Sequence, residues 1–291
     1  MKHAILGAGA IGGLLAVALS SLGEEVIAVV RGENIGDYPA AFSLDRPSGT
    51  TTAPVRVTPV LAETVDVLWI ATKTFQLKSA LESITAAPKF VIPLLNGTNH
   101  VEYLRQRYGH TGVIPATIGV EAEKLAPGKY LQKSQFVRFN LAASGEPILG
   151  TVVAGLTKFG FTCQFIANEQ TLLWSKLCFL GPFALVTSAS GMNSAEIGAN
   201  SEWKTRLDVA IREACAVAKS NGAEVDSEKI HAFIAAAPAT MQSSMAKDVA
   251  AKRPVELDDI AAPILGGREH GIDVSTTEEL IAMVRAKIAA R

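Results

Sequence analysis

The chain has 291 residues, 48% hydrophobic and 19% charged, with a formal net charge of −1. That length allows two domains with a sizeable core, and the composition excludes a disordered chain. The near-neutral charge argues against a phosphate-tracking nucleic-acid surface or a polybasic membrane patch, so neither nucleic acid nor membrane is an expected partner. In chain order, an apolar strand over 2–6 runs straight into Gly7-Ala8-Gly9-Ala10-Ile11-Gly12-Gly13 and then a helical pattern over 11–22. This is the G-x-G-x-x-G fingerprint of a dinucleotide-binding turn. Gly7 takes the sharp turn, Gly9 lets phosphates approach the backbone, and Gly12 lets helix and strand pack closely. Ala10 and Ile11 open the helix whose unpaired N–H groups face the anion. Met1-Lys2 followed by apolar residues to Leu19 also resembles a signal peptide, but the glycines interrupt that run at fingerprint spacing. A second strand over 25–30 completes a βαβ unit.

Strands are expected at 66–71, 89–94, 113–119 and 162–166, with helices near 75–86, 99–107 and 147–159. The runs at 66–71 and 89–94 are continuously apolar, as in strands buried on both faces of a parallel sheet. Residues 129–140 read as an antiparallel pair added to the sheet. From 168 the spacing becomes helical, over 169–189, 201–220, 226–236, 239–251, 256–270 and 276–289. Asn221-Gly222 and Gly271 are helix stops, and Ser275 with Glu278 fits a capping box. The expected division is a dinucleotide-binding domain over 1–167 and a helical substrate domain over 168–291. Ligands of such sheets bind at the carboxyl ends of the strands, so the substrate site is expected in the cleft beside the helical domain.

The second strand ends in Arg31, where NAD sites usually carry an acid. A guanidinium there pairs with the 2′-phosphate of NADP(H), although Glu33 still reaches the ribose. Lys73 and Asn96-Gly97 each follow a strand at the sheet's carboxyl edge, Lys73 reading as a cofactor or substrate contact and Asn96 as an amide for the nicotinamide or substrate. The common alternatives are a surface lysine and an ordinary Asn-Gly turn. Cys163, Cys178 and Cys215 are widely spaced and read as reduced, buried residues of a cytoplasmic protein. The five histidines show no ligand spacing, so no metal is expected. The longest apolar runs, such as Leu177 to Val186, are too short to span a bilayer.

Over nearly its whole length the chain resembles the ketopantoate reductase (2-dehydropantoate 2-reductase) family. The motifs are the glycine turn with Arg31, Thr72-Lys73-Thr74-Phe75-Gln76, Asn96-Gly97, Pro127-Gly128, Leu173-Trp174-Ser175-Lys176-Leu177, and Ser243-Ser244-Met245-Ala246-Lys247-Asp248 followed by Arg253, Glu256 and Asp258. The resemblance implies a Rossmann-type α/β domain and an all-α domain like the C-terminal part of 6-phosphogluconate dehydrogenase. It implies NADPH-dependent reduction of a small 2-oxo acid, as in pantothenate biosynthesis, by a monomer or homodimer. Lys176 matches the family's general acid and Glu256 its acidic partner for the substrate hydroxyl. Ser244 matches a carboxylate contact, and Asn96 the amide beside the nicotinamide. Three pocket positions that carry asparagine in the family are Leu180, Ala184 and Met241, with Asn193 a candidate replacement amide. A more hydrophobic or bulkier 2-oxo acid is therefore expected. Gly181-Pro182 predicts a kink after Lys176. A β-hydroxyacid or opine dehydrogenase is the related alternative, and a non-catalytic NADP(H)-binding sensor the alternative of another class. Retention of both Lys176 and Glu256 favours catalysis.

Overall fold

The computed structural model describes residues 1–290. The chain forms two compact units, one of residues 1–95 and 100–167, the other of 96–99 and 168 onward. The first unit contains β1 (Lys2–Leu6), α1 (Ala10–Ser21), β2 (Glu25–Val29), β3 (Ala41–Arg46), β4 (Gly49–Pro54), β5 (Arg56–Thr58), β6 (Val67–Ile70), α2 (Leu77–Ala80), β7 (Phe90–Pro93), α3 (His100–Tyr108), β8 (Ala116–Gly119), β9 (Ala122–Ala126), β10 (Lys129–Gln132), β11 (Val137–Ala142), α4 (Glu146–Phe159) and β12 (Phe161–Ile166). Its main sheet has the order β5-β2-β1-β6-β7, with every pair parallel. β1 is central, with Ile5 opposite Ala28 on one side and Trp69 on the other. This explains the continuous apolar runs, since β6 is buried at all four positions.

The expected strand pair over 129–140 does not form. β10 joins a second sheet of order β4-β3-β10-β9, while β11 joins a third of order β12-β11-β8. β10 runs antiparallel to β9, and β11 antiparallel to β8, so each strand finds its antiparallel partner elsewhere. β3, β4 and β9 escape a reading by apolar runs, because β3 buries only every second residue, β4 buries one residue and β9 none. The helix expected over 75–86 is instead the short α2 flanked by 3₁₀ turns at Thr74–Gln76 and Leu81–Ser83. Here the Ser79 and Ser83 hydroxyls donate to the carbonyls of Gln76 and Ala80, competing for backbone acceptors.

The second unit is helical, with α5 (Glu169–Ser190), α6 (Ser194–Ala199), α7 (Ser201–Ser220), α8 (Ser227–Ala235), α9 (Ser244–Ala250), α10 (Leu257–Leu265) and α11 (Ser275–Ala289). α5 is long and apolar enough to cross a bilayer by length and composition, yet 78% of its apolar window is buried inside the unit. It is the core helix, packed by α7, α9, α10 and α11, and it runs unbroken through Gly181-Pro182. Gly181 admits Ile264, whose Cδ1 would lie 2.8 Å from an added Cβ. The helix expected over 239–251 starts only at Ser244, because Ser243 caps it by accepting from the Ala246 N–H at 3.0 Å. The Ser275–Glu278 capping box is absent. Ser275 is the first residue of α11 and its N–H donates to Asp273 Oδ1 at 3.0 Å, while the next two N–H groups, on Thr276 and Thr277, donate to the buried carboxylate of Glu213 on α7 at 2.9 and 2.8 Å. A side chain from another helix thus satisfies donors that were assigned to a local one.

Candidate active site

In the first unit, β1 ends where Gly7 adopts φ +96°, a conformation that favours glycine, and its N–H donates to the Val29 carbonyl at 3.1 Å. A Cβ on Gly12 would lie 2.0 Å from the Gly7 carbonyl oxygen, so the turn and the helix close on each other as the fingerprint requires. Gly9 is exposed at the N-cap of α1, and a Cβ there would meet nothing within 4 Å. Ala10 and Ile11 open the helix half-exposed, and the first turn has neither an acidic residue nor a side-chain cap. Its first N–H groups have no intrahelical acceptor by geometry. Beside Gly7, the Thr72 hydroxyl oxygen is buried with no hydrogen-bond partner among the described residues. A pyrophosphate fits this arrangement of open space, undirected donors and positive dipole.

Arg31 lies two residues past the end of β2 and is exposed, its Nη1 3.9 Å from Glu33 Oε1. Two exposed groups at that distance hold each other weakly, which keeps the guanidinium available to an anion. Lys73 is half-buried just after β6, where its carbonyl accepts from the Gln76 N–H at 2.9 Å.

The second unit gathers Lys176, Glu256 and Asn96. Lys176 stands in the second turn of α5, with part of its side chain open to solvent. Burial lowers its ammonium from the ordinary lysine value to about 8, and the charge of Glu256 opposes that shift. Glu256 is 4% exposed at the start of α10 and accepts from Asn96 Nδ2 at 3.2 Å. The next residue fixes this contact. Gly97 has φ +81°, and a Cβ on it would lie 2.4 Å from the Asp259 carbonyl oxygen, so the Asn96-Gly97 backbone is seated against α10. Burial, then the charges of Glu256 and Asp258, raise the Asp259 carboxyl above its ordinary value. This acid was not singled out in the sequence, where it is one of several at a helix start. Asp248 accepts from Arg253 Nε at 2.8 Å across the turn between α9 and α10.

Ser244 begins α9 with an exposed side chain that makes no hydrogen bond among the described residues. Of the three apolar replacements, Ala184 is fully buried in the core of the unit, while Leu180 and Met241 keep part of their surface. Asn193 caps α6. Its side-chain oxygen accepts from the Glu196 N–H at 3.0 Å, and its own N–H donates to the Glu196 carboxylate at 2.8 Å, so the capping box of α6 holds it.

Two family models of ketopantoate reductase PanE/ApbA match the chain, the N-terminal one over residues 3–144 and the C-terminal one over 168–288. A 2-dehydropantoate 2-reductase of Caulobacter vibrioides is 27% identical over 297 residues, covering 97% of this chain and 98% of that protein. Among solved structures, a PanE/ApbA family ketopantoate reductase from Ralstonia eutropha JMP134 has a TM-score of 0.87 at 21% identity, over 100% of this chain and 99% of its own. A D-mandelate dehydrogenase in ternary complex with NADH and anilino(oxo)acetate has a TM-score of 0.88 at 21% identity, with the same coverage.

Proposed function

Because the chain belongs to the ketopantoate reductase PanE/ApbA family, we propose that it is an NADPH-dependent reductase of 2-oxo acids in which Lys176 is the general acid. In this reading residues 1–167 hold the dinucleotide and residues 168–291 supply the groups that handle the substrate's charge and proton. A bound reduced nicotinamide supplies the hydride that reaches the carbonyl carbon. As charge develops on the carbonyl oxygen, the Lys176 ammonium stabilises it and then donates a proton to it. Glu256 supports the charge of the ammonium and accepts from the hydroxyl that forms on the product, while Asn96 orients the Glu256 side chain by holding Oε2. The Ser244 hydroxyl donates to the substrate carboxylate. Arg31 pairs with the 2′-phosphate, which selects NADPH over NADH. The single observation that carries this reading is the gathering in one unit of Lys176 and the buried Glu256 that Asn96 holds, where burial lowers the ammonium to about 8. A pKa near the working pH lets one group both hold and release a proton.

The acid reduced is more hydrophobic than one bearing a hydroxyl. Leu180 and Met241 offer no hydrogen bond to a polar side chain, and Ala184 lies wholly within the core. A site lacking those partners binds a hydroxylated substrate poorly. The test is NADPH oxidation by the purified protein with ketopantoate and a panel of longer, branched and aromatic 2-oxo acids, alongside Lys176→Ala. Turnover that requires Lys176 and is fastest on an apolar acid is the expected result. Ketopantoate as the best substrate would overturn the specificity, and turnover that survives Lys176→Ala would overturn the mechanism.

A further inference from the structure

We propose that Tyr130 is a positioning residue for the dinucleotide, bracing the Gly7–Gly12 turn from the second sheet and thereby setting how tightly the first unit holds its cofactor. The inference rests on the dinucleotide reading above. The four-stranded sheet packs on α1, and β10 delivers Tyr130 to the start of that helix. The ring is 1% exposed, and its hydroxyl donates to the Ala8 carbonyl at 3.3 Å. Ala8 is the middle of Gly7-Ala8-Gly9. In a trans peptide the N–H points opposite to the C=O. Holding the Ala8 carbonyl toward Tyr130 therefore fixes the direction of the Gly9 N–H, at the N-cap that faces a bound pyrophosphate.

Gly13 supplies an independent observation. It lies outside the G-x-G-x-x-G spacing, so phosphate approach does not demand a glycine there. A Cβ on it would come within 2.0 Å of Cε1 and Cζ of the Tyr130 ring. The glycine after the fingerprint is thus explained by the brace. The ring is itself backed by aromatic residues. Its centroid is 5.7 Å from that of Phe42, which is 5.6 Å from that of Tyr38. Tyr38 in turn accepts from Lys124 Nζ at 2.7 Å. A residue seated this way has little freedom to give ground, so it transmits its position to the turn. Burial pushes the phenol's pKa up, which keeps it protonated as a donor.

Tyr130→Phe keeps the ring and removes the hydroxyl. Titration calorimetry of the purified protein with NADPH and NADH should give a Kd raised about three- to tenfold. The KM for the dinucleotide should rise equally, with kcat and the KM for the 2-oxo acid unchanged. A Kd equal to that of the unsubstituted protein, or a loss that falls on kcat alone, overturns the brace. The packing half has its own readout in thermal unfolding without cofactor. Gly13→Ala should lower Tm, and adding Tyr130→Leu should recover part of that loss. Losses that simply add would overturn the contact. If the unsubstituted protein binds neither dinucleotide, the cofactor reading and this inference fall together. If it binds and Tyr130→Phe binds equally well, only the inference falls.

Discussion

In the first unit the candidate site is made of backbone and of side chains that are absent, whereas in the second it is made of charged side chains that are buried in whole or in part. Gly7, Gly9 and Gly12 act through the space a Cβ would take, and a pyrophosphate there meets N–H groups and a helix dipole. In the proposed mechanism Lys176 and Glu256 act through charge, and that chemistry depends on burial supplied by helices distant in sequence. The difference teaches what each half tolerates. A backbone site is broken by adding atoms, and a charge site by removing one group from a pair.

The largest expected effect follows from removing the charge. Lys176→Ala should lower kcat by about 10²- to 10⁴-fold, the range for loss of a general acid, while leaving NADPH affinity unchanged. Steady-state kinetics with calorimetry separates the two. A loss of affinity equal to the loss of kcat would make the comparison between the units too sharp. The same residue predicts a pH dependence. In the proposed mechanism reduction needs protonated Lys176, so kcat should fall as pH rises through about 8. Oxidation of the product needs the neutral amine and should rise over the same range. Glu256 opposes the downward shift, so Glu256→Gln should move both limbs to lower pH. A limb that stays in place would remove Glu256 from the pair.

Adding atoms to the backbone site gives the next effect, and two glycines should respond oppositely. At Gly9 a side chain enters open space, so Gly9→Val should change stability by no more than about 1 kcal/mol, the scale of an N-cap change, and yet block dinucleotide binding. At Gly12 the added atom meets the Gly7 carbonyl at 2.0 Å. Gly12→Ala should therefore cost about 1–3 kcal/mol of stability, whether or not cofactor is present. Thermal unfolding and calorimetry on both variants check the pair. Equal behaviour would mean that Gly9 faces protein rather than ligand.

The contrast also explains what was legible in the sequence. The glycine turn is legible because its function is local: strand, turn and helix occupy consecutive residues, and missing Cβ atoms are written in the letters. The parallel sheet is legible for a similar reason, since burial on both faces leaves continuous apolar runs. The hairpin of β3 and β4 is not, because few of its residues are buried and the partner of β3, β10, lies 86 residues on, Lys129 opposite Ser43. The split of β10 from β11 is invisible for the same cause: pairing is decided by tertiary partners and not by proximity in the chain. In the second unit Lys176 and Glu256 could be singled out only through resemblance, because nothing local marks a lysine whose burial comes from elsewhere. Asn96 meets Glu256 across 160 positions, and Tyr130 meets Ala8 across 122. Ser275 and Asn193 show the converse, local contacts that change a reading. A local motif looked complete at Ser275, where Asp273 and Glu213 do the capping, and the side-chain oxygen of Asn193 is taken up by a partner three residues away.

The smallest effect tests whether charge also matters within the backbone site. Arg31 is the one side chain there that the proposal gives an electrostatic role, and its present neighbour Glu33 holds it only at 3.9 Å, with both groups exposed. An exposed guanidinium pairing with a phosphate gains less than a buried one, because water screens it and the free side chain has entropy to lose. Arg31→Ala should therefore reduce the preference for NADPH over NADH by about tenfold, equivalent to about 1.4 kcal/mol. The loss should fall on NADPH affinity, leave NADH affinity almost unchanged, and shrink for the unsubstituted protein as salt is added. Competition calorimetry with both dinucleotides at two ionic strengths reads all three. A preference that survives the substitution would assign the 2′-phosphate to another cation. Equal weakening of both dinucleotides would place Arg31 on the adenine or ribose that the two share.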